Sequence, residues 1–135
     1  KNSNYIANEN KNLVKSKNQI EENIVIKKFK IIDARSKERF DGKIPEPRKG
    51  LRSGSIPNSF CIPYNKLINQ DRSFKSKEEI EEIFLSTLGN KMTPNLVFSC
   101  GSGVTASVLA LAYSLINNKY MPTIYDGSWA EYGKI

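Results

Sequence analysis

Phe98-Ser99-Cys100-Gly101-Ser102-Gly103-Val104-Thr105-Ala106 is the stretch on which the reading of the fold turns. The apolar Leu96-Val97-Phe98 predicts a buried strand, and the apolar segment Val104–Ile116 is long enough for a helix. Between them a cysteine runs into a Gly-Ser-Gly turn. Strand, thiol, small-residue loop and helix in that order set Cys100 at the mouth of a ring of backbone N–H groups, with a helix N-terminus behind it. Unpaired N–H donors and the helix dipole favour negative charge at such a point. A free thiol has a pKa of about 8.5, and a helix N-terminus can lower it to roughly 3.5–7.5. Cys100 is the candidate nucleophile.

Working outward, Ile24-Val25-Ile26 is apolar and β-branched, and Phe29 to Ile32 resumes the pattern and leads into Asp33-Ala34-Arg35. They predict a buried strand presenting Asp33 and Arg35 at its carboxyl end. Ser36-Lys37-Glu38-Arg39-Phe40 reads as one helical turn. A long loop follows, punctuated by Gly42, Pro45, Pro47, Gly50 and Gly54, and long ordered loops in compact domains often carry function. Ser59-Phe60-Cys61-Ile62, closed by Pro63, reads as a second strand, and residues 64–69 as a short helix. Ser76-Lys77-Glu78-Glu79 has the form of a capping box; Ile80, Ile83, Phe84 and Leu88 then share a face, and Gly89 ends the helix. The Val104–Ile116 helix is apolar on most sides and is expected to be buried. Residues 121–125 give another strand, after which Asp126 and Ser128 are expected to cap a last helix starting at Trp129. Residues 1–23, rich in Asn and Lys, read as a tail carrying a weak helix with Leu13, Val14 and Ile20 on one stripe, so that the domain is expected to span 24–135. Strands alternating with helices predict an α/β fold with a mainly parallel sheet.

The 135 residues suit one domain, and 39% apolar with 26% charged residues is ordinary for a soluble globular protein. No apolar run approaches the ~18 residues of a membrane span. The chain begins with Lys and has no signal-peptide pattern, which reads as a piece of something longer. The net charge of +7 lies entirely in the first 55 residues, where a solvated Lys-rich surface accounts for most of it; no nucleic-acid or membrane partner is expected. Two cysteines are too few for a disulfide framework and favour a reducing compartment, cytoplasmic or mitochondrial. Cys61 reads as a core thiol rather than a resolving cysteine. The absence of histidine removes His-ligated metal sites and any Cys-His dyad within this chain. Neither a metal nor a cofactor is expected.

Two other readings of the loop fail. Gly101 to Ala106 matches G-x-G-x-x-[GA], and Asp126 ends the next strand, as in a dinucleotide site. That fingerprint belongs to the first βαβ unit of its domain, whereas here only one strand follows and Cys100 would go unexplained. A P-loop needs Lys-Ser/Thr after the glycines. A cysteine phosphatase needs Arg six residues after the nucleophile to clamp phosphate, and Ala106 stands there.

Cys100-Gly101-Ser102-Gly103-Val104-Thr105-Ala106 resembles the active-site loop of the rhodanese-type sulfurtransferases, on their 3-mercaptopyruvate branch. Ile31-Ile32-Asp33-Ala34-Arg35, Arg39-Phe40, Pro45-Glu46-Pro47-Arg48, Gly54-Ser55-Ile56-Pro57, Ile62-Pro63 and Ile124-Tyr125-Asp126-Gly127-Ser128-Trp129 recur in the same order, from about Ile24 to the end. The resemblance is to the second, catalytic domain of a two-domain enzyme. It implies a rhodanese-like α/β domain, its sheet flanked by helices on both faces. It implies that Cys100 takes sulfur from a small-molecule donor, holds it as a persulfide and yields it to thioredoxin or a small thiol. A loop of N–H groups suits thiolate and persulfide anions alike. By the same resemblance Ser102 is a polar partner in proton transfer, Arg39 and Arg48 bind the donor carboxylate, and Gly101, Gly103, Val104 and Thr105 complete the substrate-binding loop.

Gly101 and Ser102 are neutral where thiosulfate-using relatives carry basic side chains. This implies the singly charged 3-mercaptopyruvate, giving pyruvate, ahead of thiosulfate or a general persulfide relay. A rhodanese-like module for binding or regulation is the non-enzymatic alternative, against which an intact Cys100 argues. Ser55 departs from the His common in relatives. The family's relay His and Asp come from an N-terminal domain that this chain lacks, so a rhodanese domain of the same full-length chain is the expected partner. Asp33 and Arg35 are expected to form a structural pair, and Trp129 to pack or line the pocket edge.

Overall fold

Val97 and Phe98 are neighbours on one strand yet serve different cores. The computed structural model describes residues 2–135, so Lys1 of the expected tail lies outside the described residues. Its elements in chain order are α1 (Lys17–Ile26), β1 (Lys30–Asp33), α2 (Lys37–Phe40), β2 (Phe60–Cys61), α3 (Lys77–Leu88), β3 (Leu96–Ser99), α4 (Val104–Ile116), β4 (Thr123–Ile124) and α5 (Ser128–Tyr132). The strands form one parallel sheet in the order β2-β1-β3-β4, with Lys30 opposite Leu96 and Asp33 opposite Ser99. Because side chains alternate across a sheet, Ile32, Leu96 and Phe98 pack with Ile80 and Phe84 of α3 and Leu109 and Tyr113 of α4. Ile31 and Val97 pack on the other face with Ile20 of α1 and Trp129 of α5. Helices therefore cover both faces. A strand buried on both faces reads as an unbroken apolar run, which is why β3 is so legible.

Local chemistry fixes the surrounding elements. Ser76 and Glu79 cap α3 reciprocally, and Gly89 closes it at φ 75°. Phe84, Phe98, Tyr113 and Tyr120 meet edge-on or tilted, with centroids 4.7 to 6.2 Å apart. The Tyr120 hydroxyl donates to the Leu96 carbonyl at 3.2 Å and accepts the Thr123 N–H at 3.1 Å, tying β3 to β4.

Four expectations need correction. Ile24-Val25-Ile26 is not a strand but the end of α1. Ser16 and Gln19 form a second capping box, Ile20 anchors the helix in the core, and the buried Asn23 side chain bonds both the N–H and the carbonyl of Phe29. These contacts override β-branched propensity, which is only a weak prior, and leave Val25 81% exposed. Leu13 and Val14 are not on the α1 stripe: Leu13 ends a 3-10 turn, and Val14 bridges to Ile124 at the sheet edge. Helix α4 is not buried all round. Val104, Leu111 and Leu115 face solvent, because only one flank of α4 meets the sheet and α3. Residues 64–69 shorten to a 3-10 turn, Tyr64–Leu67. Among the described residues no helix is long and apolar enough to cross a membrane.

Candidate active site

Parallel strands bring their carboxyl ends to one edge of the sheet, and ligands in open α/β sheets bind outside that edge. Ser99 ends β3 there, and the Cys100 loop turns directly into α4. Gly103 makes the turn possible. Its φ is 90°, and a Cβ at that position would sit 2.9 Å from both the Asp126 carbonyl oxygen and Asp126 Oδ1. No side chain caps α4; the Gly103 N–H points at Cys100 Sγ instead, at 3.0 Å. Cys100 is 1% exposed. Burial alone raises its pKa, but hydrogen bonds from the Thr105 side chain and from the Ala106, Ser102 and Gly103 N–H groups outweigh it and leave the thiol below its ordinary value. The loop's donors thus favour the thiolate form of the sulfur over the thiol.

The loop is also braced from behind. Ser128 Oγ accepts the Cys100 N–H at 3.0 Å and donates to the Tyr125 carbonyl at 2.8 Å. The Trp129 and Ala130 N–H groups hold the Cys100 and Gly101 carbonyls, both at 2.9 Å. Ser128 was expected to cap α5 together with Asp126. It does not: the N-cap position is Gly127, no side chain caps the helix, and Ser128 turns inward at φ 49° to hold the nucleophile's backbone.

Beside the sulfur lies a cavity of about 240 Å³ whose wall includes Arg39, Glu46, Arg48, Gly101, Ser102, Val104 and Thr105. Sequence-predicted residues from two distant segments thus meet Cys100 in one place, and Gly103 reaches it through its N–H. The cationic wall has an internal order. Arg35 is bidentate on Asp33, with contacts of 2.8 and 2.9 Å, and also donates to the Gly54 carbonyl at 2.7 Å. Its other arm and the guanidinium of Arg39 both ion-pair with Glu46, whose side chain is 2% exposed. Burial opposes the Arg35 charge, but the hydrogen bonds and charge of Asp33, followed by those of Glu46, prevail and raise its pKa. The expected Asp33–Arg35 pair is present; the role of Glu46 was missed. Its one sequence signal is an acid held between two prolines and two residues ahead of Arg48. Arg48 is exposed and has no carboxylate within ion-pair reach among the described residues. Gly101 is kept small by contact: a Cβ there would lie 3.1 Å from Arg39 Nη2.

A family model for the rhodanese-like domain matches residues 15–134. This chain belongs to that family. It is 41% identical over 120 residues to thiosulfate/3-mercaptopyruvate sulfurtransferase 1, mitochondrial, of Arabidopsis thaliana, covering 89% of this chain and 31% of that protein. It is 40% identical over 119 residues to the human 3-mercaptopyruvate sulfurtransferase, covering 88% of this chain and 39% of the relative. SseA from Escherichia coli, a 3-mercaptopyruvate sulfotransferase of rhodanese fold, superposes with a TM-score of 0.70 at 30% identity, over 91% of this chain and 44% of that chain. The chain spans under half the length of these proteins.

Two further features of this rhodanese-like domain complete the site's surroundings. Trp129 packs rather than lining the cavity: its Nε1 donates to the Arg52 carbonyl at 2.8 Å and the Arg35 guanidinium lies over its ring at 4.6 Å. Cys61 is a half-buried thiol bonded to the Arg35 carbonyl at 3.4 Å. Burial first, then the Asp33 charge, pushes its pKa up to about 12, so it is inert beside Cys100. A larger cavity of about 690 Å³ opens at the opposite, amino edge of the sheet, among Asn12, Lys15, Phe29 and Met121, and neither cysteine lines it.

Proposed function

We propose that this chain is the persulfide-carrying domain of a sulfurtransferase, with Cys100 as nucleophile and 3-mercaptopyruvate as donor. The observation that carries the reading is the Cys100 sulfur, turned into converging N–H and hydroxyl donors, beside a cavity walled by two arginines. The Cys100 thiolate attacks the donor's sulfur. The S–S bond forms as the C–S bond breaks, and the departing carbon takes the donor's thiol proton to become the methyl group of pyruvate. The loop N–H groups that steady the thiolate then steady the outer sulfur of the persulfide. An acceptor thiolate, on thioredoxin or a small thiol, removes that sulfur and regenerates the Cys100 thiolate. Arg39 and Arg48 orient the donor carboxylate, and Ser102, at the cavity mouth, relays the proton.

The neutral Gly101 and Ser102 favour a singly charged donor; thiosulfate is the second reading, supported by the Arabidopsis relative whose name carries both donors. A histidine-free chain supplies no imidazole to the relay, so a preceding rhodanese domain of the same protein, ahead of the matched residues 15–134, is assigned that part. Free thiol chemistry fits a reducing compartment, cytoplasmic or mitochondrial.

Intact mass after incubation of the full-length protein with each donor tests the reading. One added sulfur from mercaptopyruvate, lost in Cys100→Ser, is the expected result. No loading from either donor overturns it, and loading from thiosulfate alone overturns the donor assignment only. A Ser102→Ala variant that turns over like the wild type removes Ser102 from the relay.

A further inference from the structure

Two arginines beside a thiolate look like a site for a doubly charged ligand. The charge balance of the wall says otherwise. Asp33, Arg35, Glu46 and Arg39 form one continuous ion-paired chain, two acids alternating with two bases, and their formal charges cancel. Glu46 and Arg39 are the members that reach the cavity. Arg39 gives its Nε to Glu46 at 3.0 Å and its Nη2 to the same carboxylate oxygen, while its Nη1 makes no hydrogen bond among the described residues. Its side chain is 26% exposed against 2% for Glu46, so Arg39 keeps an open edge for a ligand although its charge is compensated. Arg48 contributes the uncompensated positive charge of the wall among the described residues.

We propose that Glu46 is a positioning and charge-setting residue of the donor site: it locks Arg39 beside Gly101 and cancels its charge, so that the wall offers two guanidinium faces but one net positive charge and selects singly over doubly charged donors. The inference rests on the donor site being the Cys100 cavity. A buried carboxylate acts on charge through a low effective dielectric, so its removal is felt more by a dianion than by a monoanion. The close approach of Arg39 Nη2 to Gly101 adds a steric lock, since a side chain there would push the guanidinium off its place.

The test uses the full-length protein and two probes that need no turnover. Pyruvate, a monoanion, and sulfate, a dianion, protect Cys100 from alkylation by neutral iodoacetamide, and the ratio of their half-protecting concentrations is read by mass. Glu46→Gln is expected to improve sulfate relative to pyruvate by about tenfold, whereas Glu46→Asp, which keeps the charge, stays within about twofold of the wild type. The same ratio is expected in kcat/KM for thiosulfate over mercaptopyruvate. An unmoved ratio in Glu46→Gln, or the same shift in Glu46→Asp, overturns the proposal. Should Glu46→Gln fail to fold, the exposed Arg48 decides: Arg48→Gln is expected to weaken sulfate about tenfold more than pyruvate, and an equal loss of both overturns it. If the ratios move as stated while neither donor loads sulfur on the wild type, the sulfurtransferase reading falls and the charge assignment stands; loading with an unmoved ratio gives the reverse.

Discussion

Ser128 Oγ accepts the backbone N–H of Cys100 at 3.0 Å, across 28 residues of sequence, and donates a hydrogen bond to the Tyr125 carbonyl. The nucleophile's position is thus set by a hydroxyl from the far side of α4. Ser128→Ala leaves a buried N–H and a buried carbonyl without that partner and is expected to cost about 1–3 kcal/mol, read by urea unfolding. Because Ser128 sits at φ 49°, Ser128→Gly relaxes the backbone while losing the same bond. It should recover less than half of the deficit; full recovery would assign the effect to strain.

Thr105 supplies the side-chain hydrogen bond that most favours the Cys100 thiolate. Thr105→Val is expected to raise the midpoint of the iodoacetamide rate–pH profile. The sign follows from the thiolate fraction: between the two midpoints the wild type reacts faster, and well above both the rates converge. Cys61, pushed up to about 12, is the internal control and stays unlabelled at pH 8. An unchanged midpoint in Thr105→Val would remove the hydroxyl from the anion's support.

The two loop glycines should respond differently to alanine. Gly103→Ala places a Cβ against the Asp126 backbone carbonyl at φ 90°, an overpacked and strained position costing about 2–4 kcal/mol. Gly101→Ala meets only the far end of the Arg39 side chain. Its thermal unfolding should stay near that of the wild type while KM for mercaptopyruvate rises about threefold or more, on the order of the ~1 kcal/mol of one displaced hydrogen bond. Equal effects of both substitutions on stability would contradict the geometry.

Arg35 lies wholly inside, between Asp33 and Glu46. Arg35→Met strands the buried Asp33 and leaves Glu46 with Arg39 alone, and breaking a buried pair from one side costs about 3–5 kcal/mol. Chemical denaturation of the variant should show that loss, or no folded state at all. A loss below ~1 kcal/mol would mean that water reaches the pair.

The sequence alone determined the elements whose signals are local and strong. The β3 run, the α3 capping box and Gly89, and the Cys100-to-Ala106 loop were legible because burial on both sheet faces, reciprocal capping and a strand-to-helix turn each leave a pattern within a dozen residues. The pairing of Asp33 with Arg35 was legible for the same reason, lying two residues apart. Tertiary structure alone decided the rest. Ile24-Val25-Ile26 became helix because Ile20 found the core and Asn23 found Phe29. Ser128 turned from cap to brace because β4 delivers it behind Cys100, and Glu46 gained its role only when the 42–54 loop folded over Arg35 and Arg39. In each case the deciding interaction joins groups whose proximity the fold creates, and no local propensity encodes it.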